Sequence, residues 1–388
     1  MKEAFREHFG KEPEYLFTAP GRVEISGNHT DHQHGRVMAA AVNLDAKALV
    51  AMNGTDEIRL ISEGHGGSCV NINDLSIKEE DKGTSQALVR GVAYRFSELG
   101  AKLKGIDVYV RSTVFNGSGL SSSAAFEVLI GTMLNYLFYD SKATPVEIAQ
   151  IGQFAENVYY GKPCGLMDQT ASSVGNMITI DFNDTANPIV EKIDFDFARS
   201  GYELCVIDSG ADHSDLTDEY ASITTELKNV SRVFGKEFLR EVDEEEFYSR
   251  IAEVRKTCGD RAVLRAIYVF NENKKVAIQV DALKRGYFDT FLEYVTLSGK
   301  SSWDHLQNVI PTGATNHQEV AMALTLCWKL LEGRGGARVN GGGFAGTVLA
   351  FVPTDMLDGF KQKIEAALGE GSCHVLSIRP EGGTGEKL

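Results

Sequence analysis

The stretch from Gly117 to Ala125 combines residue types that bind phosphate: glycines that free the backbone, followed by three consecutive serine hydroxyls. The alternating segment 106–111 before it predicts a strand, and the apolar segment after it predicts a helix. A helix N-terminus carries roughly half a positive charge and several free N–H groups, so this turn is a candidate anion site. Spacing alone leaves a second interpretation open, a Gly/Ser loop that caps an ordinary helix. No Walker A pattern occurs.

A second polar stretch runs from Ala19 to His32 and contains arginine, glycine, histidine and aspartate in close succession. Such a run is poor core material, so it is either a simple polar turn or part of a binding site. Histidine and aspartate are zinc ligands. A metal site built from His29, Asp31, His32 and His34 is therefore an alternative, although these ligands are crowded and no distant fourth ligand is evident.

Glycines also mark two later stretches. Residues 338–348 read as a strand interrupted by Gly341–Gly343, which indicates either a bulge or a close approach of backbone or ligand. Residues 161–169 end one predicted helix at Gly161 and place Asp168 just before another polar segment.

Composition limits the class of protein that can carry these stretches. The chain has 388 residues, a length that allows two or three domains. Its net charge of −15 argues against nucleic acid or an anionic membrane as the main partner. No apolar run is long enough for a membrane span, and the first residues do not resemble a signal peptide. Six scattered cysteines indicate reduced thiols in a cytoplasm.

The elements that must position these residues are mixed. Strands are predicted near 36–52, 56–62 and 106–111, with helices near 85–99 and 124–139. Thr144, followed by proline and by Glu147, predicts a helix start, and that helix should run to about Tyr160. Residues 215–335 read as mostly helical, and strand returns over 337–352. Because strands and helices do not alternate strictly, the pattern favours an α+β fold with a boundary near residue 200.

Four stretches in this order resemble the GHMP kinases, and within them the galactokinases. Residues 21–32 resemble the galactokinase signature Gly-Arg-Val-Asn-Leu-Ile-Gly-Glu-His-Thr-Asp-Tyr, and residues 119–124 resemble the family's Gly-Leu-Ser-Ser-Ser-Ala phosphate loop. Residues 161–169 are similar to the segment with the galactokinase catalytic aspartate. Residues 341–346 are similar to the C-terminal Gly-Gly-Gly-Phe-Gly-Gly. The resemblance covers nearly the whole chain.

The resemblance implies a two-domain fold: an N-terminal ribosomal-protein-S5-like domain over 1–199 and a C-terminal ferredoxin-like α/β domain over 200–388, with the active site in the cleft between them. It implies transfer of the ATP γ-phosphate to the anomeric C1 hydroxyl of galactose, with Mg²⁺ as cofactor. The expected partners are the sugar and ATP, with no nucleic acid and no membrane. The expected state is a monomer in the cytoplasm.

The resemblance also implies roles for single residues. Asp168 would lie against the C1 hydroxyl as base or orienter, with Arg22 beside it; without the motif, Asp168 would be interpreted as a helix cap. Sugar selection would fall to Asp168 together with Asn28, His29, Asp31, Gly165 and Tyr220. The ATP phosphates would be bound by Gly117, Ser118, Gly119, Leu120, Ser121, Ser122 and Ser123. Mg²⁺ would be held by Ser123 and Glu156.

Two departures from the family pattern leave the substrates open. Asn28 replaces the galactokinase glutamate that reaches the C6 end of the sugar, which removes a carboxylate and admits a uronic acid such as galacturonate. A tryptophan common before the Val-x-Gly-Val segment is absent, which leaves the adenine contacts and the preference for ATP open.

Two different classes of function are also compatible with the resemblance. One is a non-catalytic regulator that binds sugar and ATP, and the other is a GHMP kinase that acts on another alcohol. The three serines at 121–123, called the serine loop below, are all present, which favours an enzyme over a regulator. The His-Thr-Asp sequence favours a sugar as the substrate.

Overall fold

The computed structural model describes residues 1–114, 119–211 and 216–388. These residues form one sheet of eight strands and one of four strands, and helices and strands are intermingled along the chain, as the α+β prediction requires. The strands are β1 (Tyr15–Ser26), β2 (Arg36–Met52), β3 (Glu57–Ser62), β4 (Gly66–Asn71), β5 (Ile106–Ser112), β6 (Met177–Asp181), β7 (Ile189–Lys192), β8 (Tyr202–Asp208), β9 (Gly336–Asn340), β10 (Thr347–Pro353), β11 (Cys373–Leu376) and β12 (Thr384–Lys387).

The helices cover most of the remaining sequence, and the segment between β8 and β9 is mostly helical, as predicted. They are α1 (Lys2–Phe9), α2 (Ser85–Glu98), α3 (Ser122–Phe138), α4 (Pro145–Phe154), α5 (Met167–Val174), α6 (Thr217–Val233), α7 (Glu244–Ser249), α8 (Ile251–Cys258), α9 (Asp260–Lys284), α10 (Phe288–Ser301), α11 (Glu319–Leu331) and α12 (Leu357–Leu368). Within the described ranges, none of these helices is long and apolar enough to cross a membrane.

The first sheet has the strand order β12-β1-β2-β5-β3-β4, and β6 joins it by pairing with both β2 and β7. Its strands are antiparallel except for the parallel pair β3 and β5. Valine and isoleucine side chains of this sheet pack against α2, α3 and α4 to form one buried core, in which Val50, Val108 and Leu129 are fully buried. Burial of this kind contributes about 1.5–3 kcal/mol per large side chain.

The second sheet has the strand order β11-β8-β10-β9, and all its pairs are antiparallel. One face packs on α11 and α12 around residues such as Leu324 and Ile364. The sheets divide the chain near the predicted boundary at 199/200, but β12, late in the chain, pairs with β1 in the first sheet. The exact domain boundary stays a prediction.

The predicted helix start at Thr144 is confirmed. The Thr144 hydroxyl accepts a hydrogen bond from the Glu147 backbone N–H, and the Glu147 carboxylate accepts one from the Thr144 backbone. The helix continues beyond α4 as a π-helical turn, Ala155–Tyr160, and ends at Gly161, whose φ is 86°. The π-helical turn changes the direction of the side chains in this segment, which includes Glu156.

The predicted strand character of this stretch is confirmed on both sides of Gly341–Gly343, but the interruption is a turn between two strands and not a bulge within one strand. These glycines form the turn between β9 and β10, which pair as an antiparallel hairpin. Gly341 and Gly343 have φ values of 77° and 84°, which other residues rarely adopt. The apolar runs on either side concealed the turn, because both belong to buried strands.

Candidate active site

Arg22 and Asp168 form a bidentate ion pair although 146 positions separate them in the sequence. The Arg22 Nε donates to Asp168 Oδ1 at 2.8 Å, and Nη2 donates to Oδ2 at 2.8 Å. Arg22 lies on β1 just after a register shift against β2, and Asp168 lies in the first turn of α5. Two parallel hydrogen bonds fix the orientation of the carboxylate as well as its charge.

Asp168 is held in its ionised form. Burial of the carboxyl group would raise its pKa, but the charge and hydrogen bonds of Arg22 and the hydrogen bond from Ser121 outweigh burial, so the pKa lies below its ordinary value. About a quarter of the side chain stays exposed, at 28% of its surface. An exposed and oriented carboxylate can accept a hydrogen bond from a substrate hydroxyl.

The serine loop meets this ion pair directly. The Ser121 hydroxyl donates to Asp168 Oδ2, and Arg22 Nη1 donates to the carbonyl of Gly119. Ser121 is the N-cap of α3 and has a φ of 60°, a left-handed conformation that is unusual for serine. These two hydrogen bonds hold the start of α3 beside Asp168.

The predicted phosphate-binding residues fall into three groups: those before α3, those in its first turn, and those outside the described residues. Gly119, Leu120 and Ser121 precede α3 and contact the ion pair or β1, while Ser122 and Ser123 form its first turn. Gly119 must be glycine because a Cβ would come within 2.6 Å of the Thr347 hydroxyl. Gly117 and Ser118 lie outside the described residues. A helix of 17 residues begins at this point, so its free N–H groups and dipole favour an anion there.

A buried carboxylate pair lies behind the serine loop. Gln169 Nε2 donates to Glu127 Oε2 at 2.9 Å and to Glu156 Oε2 at 3.0 Å. Burial and the charge of Glu156 raise the pKa of Glu127, and its Oε1 is buried without a hydrogen-bond partner among the described residues. Lys162 lies 3.4 Å from Glu156 Oε1. Ser123 and Glu127 are four residues apart on α3, so they share a face of the helix.

The candidate sugar-binding residues surround the β9–β10 turn. The Asn28 side-chain amide donates to the Gly341 carbonyl, the His29 ring lies 2.9 Å from the Gly342 carbonyl, and the Tyr220 hydroxyl donates to the Gly343 carbonyl at 2.8 Å. Burial, with a smaller effect from His32, lowers the pKa of His29 to about 4, so the ring is neutral at pH 7. The glycine turn thus brings the polar stretch of β1 and helix α6 together.

Asp31 and Gly165 lie in close contact. A Cβ at position 165 would overlap Asp31 Oδ2, so only glycine fits there. The other oxygen, Oδ1, accepts a hydrogen bond of 2.9 Å from the His32 backbone. Gly165 precedes α5, so this contact places Asp31 beside the segment that leads to Asp168.

The zinc interpretation gains no support. Within the described ranges, no group of three or more histidine, cysteine, aspartate or glutamate side chains is arranged to hold a metal ion. His34 stacks on Phe238, with ring centroids 3.6 Å apart, and His29 is occupied by the glycine turn.

Several residues of this region have no counterpart among the predicted ones. Asn340 accepts a hydrogen bond from the Glu24 backbone and donates to the Gly119 carbonyl, and so links β9, β1 and the serine loop. Arg338 is fully buried and donates to the Ile25 carbonyl and to Asn28. Glu24 could have been found from the sequence, because residues two apart on a strand share a face and Arg22 is a candidate catalytic residue.

Comparison with known proteins identifies the family. Residues 3–52 match the family model described as the galactokinase galactose-binding signature, and residues 87–176 match that of the GHMP kinases N terminal domain. A galactokinase from Streptomyces coelicolor is 32% identical over 98% of this chain and 96% of its own length. The chain belongs to the galactokinase family. A galactokinase from Glaesserella parasuis serovar 5 is 31% identical over 93% of this chain and 91% of its own length.

Solved structures agree with this membership of the galactokinase family. Lactococcus lactis galactokinase complexed with galactose is similar with a TM-score of 0.84 and 26% identity, over 99% of this chain and 98% of that one. A mevalonate kinase with 15% identity and a TM-score of 0.67, over 94% of this chain and 99% of its own, shows the shared fold alone. The predicted two-domain GHMP kinase fold and the predicted class, an ATP-dependent sugar kinase, are confirmed.

Proposed function

We propose that this protein transfers the γ-phosphate of ATP to the C1 hydroxyl of galactose. The observation that carries the proposal is the contact of Arg22, Asp168 and Ser121, because it joins the phosphate loop to the ion pair through direct hydrogen bonds. Relatives of similar length are galactokinases, and residues 3–52 match a galactose-binding signature. A phosphate acceptor and a phosphate donor would therefore meet at Asp168.

The proposed chemistry uses the geometry of each group. The ionised Asp168 accepts the proton of the C1 hydroxyl, the C1 oxygen forms a bond to the γ-phosphorus, and the bond to the β-phosphate oxygen breaks to release ADP. Arg22 orients the carboxylate and offsets charge on the transferring group. The N–H groups at the start of α3, with the serine hydroxyls, bind the phosphates. His29, Asp31, Gly165 and Tyr220 stay the predicted sugar site, and the amide of Asn28, also predicted there, is occupied by contacts within the protein.

The donor set fits Mg²⁺. One buried carboxylate, Glu156, and one hydroxyl, Ser123, would hold the ion, and phosphate oxygens and water would complete its coordination. The buried Oε1 of Glu127 has no hydrogen-bond partner among the described residues, and an unsatisfied oxygen near Glu156 is compatible with a cation there. When bound, the ion would neutralise phosphate charge.

The six cysteines are free thiols, which supports the proposed location in the cytoplasm. The proposed monomeric state would be tested by light scattering.

The test is turnover measured as ADP release with Mg-ATP and a panel of galactose, galacturonate, glucuronate, N-acetylgalactosamine, arabinose and mevalonate. We expect galactose to have the highest kcat/KM, by at least about tenfold, since hydrogen-bonding sites discriminate strongly between hydroxyl patterns. Tight sugar binding without turnover would replace the proposal with the regulator. Preferred turnover of mevalonate or galacturonate would replace the substrate.

A further inference from the structure

We propose that Glu24 is a specificity-determining residue that binds a sugar hydroxyl, and that Asn28 positions it, an inference that rests on the proposed function. The galactokinase signature has asparagine at the position of Glu24 and glutamate at the position of Asn28. The two residue types are thus exchanged in this chain. They contact one another: Asn28 Nδ2 donates to Glu24 Oε2 at 2.8 Å. A carboxyl group remains at this place, carried by a different residue.

Asn28 has no capacity left for a ligand. Its side chain is fully buried, its amide nitrogen donates to Glu24 and to the Gly341 carbonyl, and its oxygen accepts hydrogen bonds from Arg338 and from Ser302. An amide side chain has two donor hydrogens and two acceptor lone pairs, so these four contacts saturate it. Its function in this structure is to hold the Glu24 carboxyl group and the glycine turn.

Glu24 keeps one oxygen free among the described residues. Its Oε2 accepts from Asn28, its backbone N–H donates to Asn340, and no hydrogen bond from a described residue reaches Oε1. The residue is 3% exposed, and Oε1 is not one of the fully buried unpartnered atoms, so this oxygen reaches the small exposed surface. A group with a pre-set orientation and one open position is suited to bind a ligand.

Glu24 lies on the same side of β1 as Arg22. Arg22 and Glu24 are two residues apart on β1 and point to the same side of the sheet, and the partner residues Ala39 and Ala41 on β2 are small enough to leave room there. The charges that act on the Glu24 carboxyl group include those of Arg22, Asp31 and Asp168. Glu24 therefore lies beside the predicted sugar residues and the ion pair.

This placement predicts which sugars fit. Burial raises the pKa of Glu24 to about 8, so at neutral pH the carboxyl group is largely protonated and can donate a hydrogen bond as well as accept one. A neutral hydroxyl satisfies such a group. A sugar carboxylate would also be placed near Asp31 and Asp168, whose charges act on Glu24, so this placement disfavours a uronic acid.

The experiment compares Glu24→Met, which keeps the length of the side chain but removes its hydrogen-bonding groups, with the wild type on galactose and on its 2-, 3-, 4- and 6-deoxy derivatives. Sugar affinity is measured by calorimetry, together with kcat and KM. We expect a loss of at least about tenfold in galactose affinity, with the ATP KM within about twofold. For the one deoxy sugar that lacks the bound hydroxyl, the affinities of the variant and the wild type should differ by less than about twofold. Equal losses on every sugar would overturn the proposal.

Two further variants keep the test decisive. The exchange E24N/N28E should bind galactose at least about fivefold more tightly than Asn28→Glu alone, since it avoids two adjacent carboxyl groups; no gain would contradict the pairing. Glu272→Met is the matched control, because Glu272 is also a buried carboxyl group but its oxygens are used by Ser26, Gly27, Ser298 and Lys275. This control variant should change the affinity for all the sugars by the same factor. Galactose bound with the expected pattern but not phosphorylated would refute the proposed function and leave Glu24 supported.

Discussion

At the scale of single residues, Asp168 combines three hydrogen bonds with a partly exposed carboxylate. Asp168→Asn keeps the size of the side chain but removes its charge and one acceptor. We expect turnover of galactose to fall by at least about a hundredfold, because the C1 proton loses its acceptor and Arg22 loses its counter-charge. ATP affinity should stay within about threefold, since the phosphates bind at the start of α3. Single-turnover kinetics and nucleotide binding would measure both.

The control for this variant is Asp355→Asn, which also removes an aspartate paired with an arginine, but at an exposed site. It should leave turnover unchanged within about twofold, because exposed ion pairs contribute little. If Asp168→Asn retained the wild-type rate, Asp168 would have no part in the chemistry.

The sequence allowed the candidate site residues to be predicted, but not which of them contact one another. Arg22 and Asp168 lie 146 positions apart, and no periodicity joins positions so distant. Only the order of the motifs suggested that they meet. Glu127 and Gln169 were missed because a single glutamate within an apolar helix, or a glutamine after an aspartate, carries no pattern that distinguishes a ligand site from a solvated side chain.

At the scale of elements, the segment that leads into α5 passes close to the polar stretch after β1. Gly165→Ala would push a methyl group into the Asp31 carboxylate. We expect the galactose KM to rise by at least about tenfold, because the carboxylate must shift while the serine loop stays in place. The ATP KM should change by less than about twofold, which initial-rate kinetics would show.

Gly359→Ala is the matched control for this prediction, since Gly359 lies in α12 with no atom near the position of the added methyl group. That variant should keep wild-type kinetics and gain a little stability from the higher helix propensity of alanine. Equal kinetic losses in both variants, or none in Gly165→Ala, would contradict the role of the Asp31 contact.

Elements with local signals were predictable, and those set by tertiary packing were not. The capping box at Thr144 and the alternation of 106–111 identified α4 and β5, because both signals lie within a few residues. The β9–β10 turn was missed, because its flanking strands are buried on both sides and lack the alternation that marks a hairpin. The π-helical turn Ala155–Tyr160 packs against α2 and has no sequence signal of its own.

At the scale of the whole molecule, β12 completes the first sheet by pairing with residues 15–18 of β1. Deletion of residues 381–388 would remove this pairing, expose the edge of β1 and uncover Phe17, which packs closely against Gly385. We expect the melting temperature to fall by several degrees, since the lost hydrogen bonds and burial amount to a few kcal/mol. Deletion of Leu388 alone leaves the strand pairs intact and should have little effect. An unchanged midpoint in the longer deletion would show that β12 does not stabilise the sheet.

During synthesis on the ribosome, the pairing of β1 with β12 is delayed. Residues 15–18 emerge early, but their partners at 384–387 are made only after nearly all of the described chain. At about 5–20 residues per second this gap lasts on the order of tens of seconds, during which β1 presents an unpaired edge. Nascent chains of this protein should therefore be clients of chaperones that shield strand edges until β12 arrives.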